Sequence, residues 1–292
     1  MLIRAGYDIA FIVAAPTPMM AMLSIHPSRN KDLRSPHRLL ANPDVPTYDY
    51  VDAFGNTCTR LTVPPGGVTL SCDFIVEDSG IPDIQSPHAI QHPIEELPDD
   101  ILVYLLGSRY CETDRLSDTA WSLFGHIPPG WQRVSAIVDF AHSRIRFGYQ
   151  DARPTRTAWD AHQEQVGVCR DFAHLAITLC RCMNIPARYC TGYLGDIGVE
   201  PIDAAMDFSA WFDVYLGGEW HTFDARHNHP RMGRILMARG RDATDTALTT
   251  AFGPAVLSRF EVHTDEVAET DPPMRAGTAN GIGDHHTGFD AR

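Results

Sequence analysis

Apolar and polar positions alternate at the start of the chain. In "MLIRAGYDIAF", Ile3, Ala5, Tyr7, Ile9 and Phe11 fall on one side of an extended segment, which predicts a strand. A second alternation, Val68, Leu70, Cys72 and Phe74, follows the turn signal "PPGG", and a Gly-Asn turn lies upstream of it. Short strands separated by such turns predict an antiparallel β-sandwich-like domain over residues 1–98. Its last part, from Pro82 to Pro98, is rich in Pro, His and Asp and reads as an extended connector.

The period then changes. Helical patterns begin near "DDILVYLLGSRYC" and continue in "GWQRVSAIVDFAHSRIRFGY", where Val134, Ile137, Val138, Ala141 and Ile145 recur at helical spacing. The strongest helix is "GVCRDFAHLAITLCRCM". Phe172, Ala176, Leu179 and Met183 form one apolar stripe, Cys169, Ala173, Ala176 and Cys180 the adjoining one, and Asn184 and Pro186 stop it. "ARYCTGYL" reads as a strand. "SAWFDVYLGGEWHTFD" reads as a hairpin turning on Gly217-Gly218, which sets Leu216 opposite Glu219. In that register Asp224 faces Trp211, Ser209 lies two residues along on the same face, and His221 faces Val214 on the other. Residues 263–292, rich in Gly, Asp and Thr, read as a flexible tail after a core spanning 99–262. The fold class is therefore α+β.

Composition narrows the function. The chain has 292 residues and is 44% hydrophobic, enough for a real core. A net charge of −13 with no dense basic run argues against nucleic acid. No stretch approaches the ~18 apolar residues of a membrane span. Asp8, Pro16 and Pro18 interrupt the N-terminal apolar segment, so it reads as a strand and not a secretion signal. Seven cysteines without tight framework spacing read as reduced thiols in a cytoplasmic protein; Cys58 and Cys72, which flank a turn, read as free cysteines in strands.

Cys169 is the candidate nucleophile. It stands in the first turn of its helix, where unpaired N–H groups favour a thiolate and can hold an oxyanion. Together, "GVCRDFAHL", "DFSAWFDVYLGGEWHTFDARHN" and "ILMARGRDATD" resemble the transglutaminase-like superfamily, and more closely its bacterial cysteine peptidases with a β-rich N-terminal region. The resemblance implies a papain-like core, in which a helix bearing the catalytic Cys packs on an antiparallel sheet that supplies His and Asp. It puts Cys169 on the nucleophile and Asp224 on the aspartate that orients the histidine. The family's histidine immediately precedes "AW", and here that position is Ser209.

Two functions follow from that departure. One is a thiol enzyme acting on amide bonds of a peptide or protein, as peptidase, amidase or acyl transferase, with its base supplied from elsewhere. The other is a catalytically impaired binding module, because a hydroxyl cannot act as a base near neutrality. His174 lies about 140° round the helix from Cys169 and points elsewhere. His227 and His229 lie in a loop whose path the sequence leaves open. Gln165 and Gln163 are oxyanion candidates, and Trp211 a candidate wall of the site. Cys180 and Cys182 sit about 200° apart on a helix and cannot share a metal ion, and neither metal nor cofactor is expected. Arg239, Arg241 and Asp242 read as charges that tie a loop.

Overall fold

The computed structural model describes residues 1–200 and 206–268. Six strands come first: β1 (Leu2–Ile12), β2 (Thr17–Ala21), β3 (Leu40–Asn42), β4 (Tyr48–Val51), β5 (Thr57–Val63) and β6 (Val68–Glu77). Helices α1 (Thr113–Phe124), α2 (Trp131–Arg144), α3 (Ala158–Glu164) and α4 (Cys169–Cys182) occupy the middle. Two short parallel strands, β7 (Arg146–Phe147) and β8 (Val166–Gly167), lead into α4. Then come β9 (Ala187–Tyr193), β10 (Ser209–Leu216), β11 (Glu219–Phe223), β12 (Ile235–Gly240), β13 (Thr249–Ala251) and β14 (Val256–Val267).

The N-terminal strands form two antiparallel sheets, ordered β14-β1-β6-β3 and β13-β2-β5-β4. Ile3, Ile9, Leu70 and Phe74 from the first share one buried cluster with Met19, Leu61 and Val63 from the second, so the alternating strands close as a sandwich. Each sheet takes one strand from the other end of the chain: β14 pairs with β1 along its whole length, and β13 with β2. The expected tail from residue 263 therefore starts too early. His263–Val267 belong to β14, where Thr264 is buried; residues 269–292 lie outside the described residues. Tail-like composition hid a strand whose partner lies at the opposite end of the chain.

The core sheet is antiparallel, ordered β11-β10-β9-β12. One face is covered by α4, whose Phe172, Leu175, Ala176 and Leu179 pack with Ala210, Phe212 and Val214 of β10. The other face sends Tyr193, Ile235 and Met237 into the sandwich's cluster. Covered on both sides, β9 is buried at every position. The expected helix at "DDILVYLLGSRYC" is instead one 3₁₀ turn, Leu102–Leu105, and the true helix α1 begins at Thr113. The apolar run there is continuous, with Leu102 and Leu106 exposed, whereas Leu116, Ala120 and Phe124 of α1 recur every four residues and are buried.

The hairpin forms in the expected register, Leu216↔Glu219 through Val214↔His221 to Phe212↔Phe223. Gly217 and Gly218 both lie in the left-handed region, at φ 61° and 88°. A side chain at Gly218 meets no atom within 4 Å, so backbone strain alone sets its cost. Gly218→Ala is expected to lower unfolding free energy by about 1–2 kcal/mol. Gly217→Asn should be nearly neutral, since asparagine visits this region. Equal denaturation midpoints for wild type and Gly218→Ala would contradict the turn assignment.

Candidate functional site

The first turn of α4 is fixed from inside. Asp171, 1% exposed, accepts hydrogen bonds from the Val168 N–H at 3.0 Å and from Arg156 Nη1 at 3.2 Å. Arg156 in turn donates to Glu164 at 3.0 Å. Gly167 is required by close approach, because a Cβ there would stand 2.7 Å from the Asp171 carboxylate. Phe147 pairs with Gly167, and the Gly148 N–H donates to the Gly167 carbonyl at 3.1 Å, so Tyr149 comes level with Cys169. Cys169 is the first residue of α4 and half-buried. The Asp171 N–H of that first turn donates to the Val168 carbonyl at 2.8 Å, whereas the Cys169 and Arg170 N–H groups have no hydrogen-bond partner among the described residues.

Around the thiol stand groups from three other segments. The backbone of Ala210 and the charges of Asp207 and Arg226 act on it. Arg226 lies over the Phe147 ring, its Cζ 3.9 Å from the centroid, and its charge acts on the Tyr149 hydroxyl. Burial pushes the Cys169 thiol up to about 11, and Asp207 adds to the rise; Arg226 and the Ala210 amide oppose it. A helix end of itself should lower a thiol pKa, but that field is worth only about 1–2 kcal/mol, and burial outweighs it here. Burial likewise pushes Asp207 up to about 6 against the Phe208 N–H and Arg226.

Ser209 opens β10, is buried, and pairs with Gly192. Asp224 follows β11 directly and is buried as well. Its Oδ1 accepts the N–H groups of Arg226 and His227, both at 3.0 Å. Its Oδ2 accepts Arg234 Nη2 at 3.0 Å and lies 2.9 Å from His227 Nδ1. These donors, His227 first, hold its carboxyl far below the usual range against the opposing effect of burial. Among the described residues no hydrogen bond joins Ser209 to Asp224. Arg234 also binds Asp83 at 3.0 Å, so it bridges two carboxylates, and its guanidinium carbon sits 5.0 Å from the Trp211 ring centre.

The remaining expectations fall elsewhere. Trp211 points away from α4 and lines a cavity of about 250 Å³ with Asp83, Asp213, Arg231 and Arg234, which Cys169 does not line. It is thus a wall of a different cavity, since alternate residues of β10 face opposite sides of the sheet. Gln165 ends α3 at φ 58°, exposed, and its side chain has no hydrogen-bond partner among the described residues. Nothing in the structure gives it an oxyanion role.

The histidines are engaged elsewhere. His174 is fully buried, stacked on Tyr110, and accepts the Ala243 N–H at 3.1 Å; burial pushes it down to about 3, so it stays neutral. His221 contacts the Leu216 carbonyl and Trp131. His229 Nδ1 lies 2.9 Å from the His227 carbonyl. No histidine among the described residues hydrogen-bonds Cys169. Asp207, Arg226 and Tyr149 were not singled out from sequence; the available signal was the carboxylate two residues before Ser209. The charges of "ARGRD" do tie a loop: Arg241 binds Asp245 at 2.8 Å, and Asp242 accepts the Tyr110 N–H at 2.8 Å.

The chain is similar to known proteins in family and fold. Residues 122–225 match the model of the transglutaminase-like superfamily. The uncharacterized protein ML0607 of Mycobacterium leprae is 25% identical over 230 residues, covering 72% of this chain and 77% of its own. A crystal structure from Cytophaga hutchinsonii, provisionally designated a cysteine protease, superposes with a TM-score of 0.77 at 29% identity. The match covers 95% of this chain and 94% of that one.

Two measurements check this description. Removing Arg234 leaves the buried Asp224 and the half-buried Asp83 without their shared cation. Arg234→Met should therefore cost about 3–5 kcal/mol near neutrality. Asp224 has a depressed folded-state pKa, so its stabilisation is present above the unfolded carboxylate value of about 4 and fades as pH falls through the folded value. The difference between wild type and variant should shrink accordingly in acid. Separately, iodoacetamide should alkylate Cys169 slowly at about pH 6 and increasingly fast towards the thiol value of about 11; rapid labelling at about pH 6 would contradict a raised thiol.

Proposed function

We propose, from the chain's likeness to the transglutaminase-like superfamily, that it acts on amide bonds with Cys169 as the nucleophile. The observation that carries this reading is Cys169 opening α4, half-buried, where the Cys169 and Arg170 N–H groups have no hydrogen-bond partner among the described residues. The sulfur attacks an amide carbonyl carbon, and the carbonyl electron pair moves to oxygen. The Cys169 and Arg170 N–H groups at the start of α4 stabilise that oxyanion. The amine leaves, and water or a second amine resolves the thioester. A peptide or protein substrate is favoured by likeness to a chain designated a cysteine protease. Ser209 occupies the place of the family histidine, and Asp224, with no histidine to orient there, holds the Arg226–His227 turn instead. Seven unpaired cysteines favour a reducing compartment, and a cytoplasmic location belongs to the proposal.

A second reading, a binding module without catalysis, is favoured by Ser209 itself and by the raised thiol. The two differ in what restoring the base would do. Ser209→His should raise Cys169-dependent hydrolysis of a peptide p-nitroanilide by about 10²–10⁴-fold. Cys169→Ala should abolish activity in both backgrounds. A Ser209→His protein that folds normally and gains nothing, beside a wild type no faster than Cys169→Ala, leaves only the binding reading.

A further inference from the structure

We propose that the cavity behind the core sheet binds a free α-amino acid with an apolar side chain. The cavity measures about 250 Å³ and is lined from three segments: Trp211 and Asp213 on β10, Arg231 and Arg234 ahead of β12, and Asp78 and Asp83 after β6. Drug-sized ligands occupy sites of ~300–1,000 Å³, so this space suits a molecule of amino-acid size. It lies on the side of β10 away from α4, and Cys169 does not line it. The site is therefore independent of the thiol chemistry proposed above. Ile81, which also lines the cavity, is 65% exposed, so the space reaches solvent at the connector.

The arginines offer donors for a carboxylate. Arg231 and Arg234 are 4% and 9% exposed. Arg231 spends Nη2 on the Gly195 carbonyl at 2.8 Å. Arg234 spends Nε on Asp83 and Nη2 on Asp224, each at 3.0 Å. Arg231 Nε and Arg234 Nη1 are buried and have no hydrogen-bond partner among the described residues. Buried donors are nearly always paired, so two unpaired ones on the guanidiniums of one cavity call for an acceptor. A carboxylate, with two oxygens and several lone pairs, supplies one to each.

The aspartates are unequally engaged, and one of them can take an ammonium group. Asp83 accepts Arg234 Nε at both oxygens and the Arg231 N–H at 2.9 Å. Asp213 accepts Arg188 Nε at 3.0 Å, the Thr222 hydroxyl at 2.9 Å and the Cys190 thiol at 3.3 Å. Among the described residues the Asp78 carboxylate accepts the Gly80 N–H at 3.0 Å and a long bond of 3.4 Å from Arg29. It keeps the most acceptor capacity of the three. With Arg29 as the third arginine in the lining, guanidiniums and carboxylates balance. A net-neutral zwitterion therefore enters without burying an unpaired charge. Trp211, Leu236 and Ile81 supply apolar surface for its side chain.

Calorimetric titration of the full chain tests the site with L-leucine and two truncated analogues. Isocaproate lacks the ammonium group, and isopentylamine lacks the carboxylate. L-Leucine should bind, and each analogue should bind at least about tenfold more weakly, because one end of the site is left unpaired. Arg231→Lys keeps the positive charge but gives up the spare Nε, and should weaken L-leucine by at least about tenfold. Asp78→Asn keeps an oxygen for the Gly80 N–H and should also weaken L-leucine, while isocaproate binds as before or more tightly. A merely structural loss would weaken both ligands, and unfolding midpoints report it directly. Should Arg231→Lys fail to fold, the contrast between the two ligands in Asp78→Asn decides. No binding of L-leucine at millimolar concentration overturns the proposal. So does isocaproate binding as tightly as L-leucine, or equal L-leucine affinity in wild type and Asp78→Asn.

Discussion

A single buried carboxylate holds the candidate site together. Asp171 sits at the third position of α4 and accepts the Val168 N–H, so it stops the helix from unwinding at the residue that bears the thiol. It needs a cation to be tolerable in a dry interior, and Arg156 supplies one. It needs space, and Gly167 supplies that by having no side chain. Gly167 in turn forms the β8 pair with Phe147 that aligns Tyr149 and, through Phe147, the stacked Arg226. Were the first turn of α4 to shift, the thiol would move with it.

A second set of buried charges works at one remove. Arg234 joins Asp83, in the connector, to Asp224, at the end of β11. The N-terminal half of the chain is thereby clamped to the core beside the site. Asp224 spends Oδ1 on two backbone amides and so fixes the turn from which Arg226 projects. Where the family pattern has Asp orienting a histidine, this chain has Asp224 orienting a loop that carries a guanidinium. A positive charge thus acts on the thiol, while the proton acceptor must be found elsewhere.

Much of this was legible in the chain. The β1 and β6 alternations, the α2 and α4 periodicities and the hairpin register all follow from one-dimensional patterns that burial enforces. Strand parity separated His221 from Asp224 correctly, since it depends only on the two-residue turn. What escaped depended on distance along the chain. β14 pairs with β1 across most of the sequence, and no local pattern announces its partner. Asp207 and Arg226, whose charges act on the thiol, come from either side of the β10–β11 hairpin, and Tyr149 comes from before α3; none carries a spacing signal. Trp211 was assigned to the right face of β10, but that face looks onto a cavity of its own, a fact set by twist and packing rather than by alternation.

The central claim is that a covalent bond forms at Cys169 despite serine at position 209. The most direct measurement is to mix the full chain with p-nitrophenyl acetate at about pH 7, quench in acid during turnover, digest, and locate the acyl group by peptide mass mapping. The account predicts an acetyl thioester on the peptide carrying Cys169, cleared when hydroxylamine is added. Acetylation confined to lysines, or spread evenly over the seven cysteines, would contradict it.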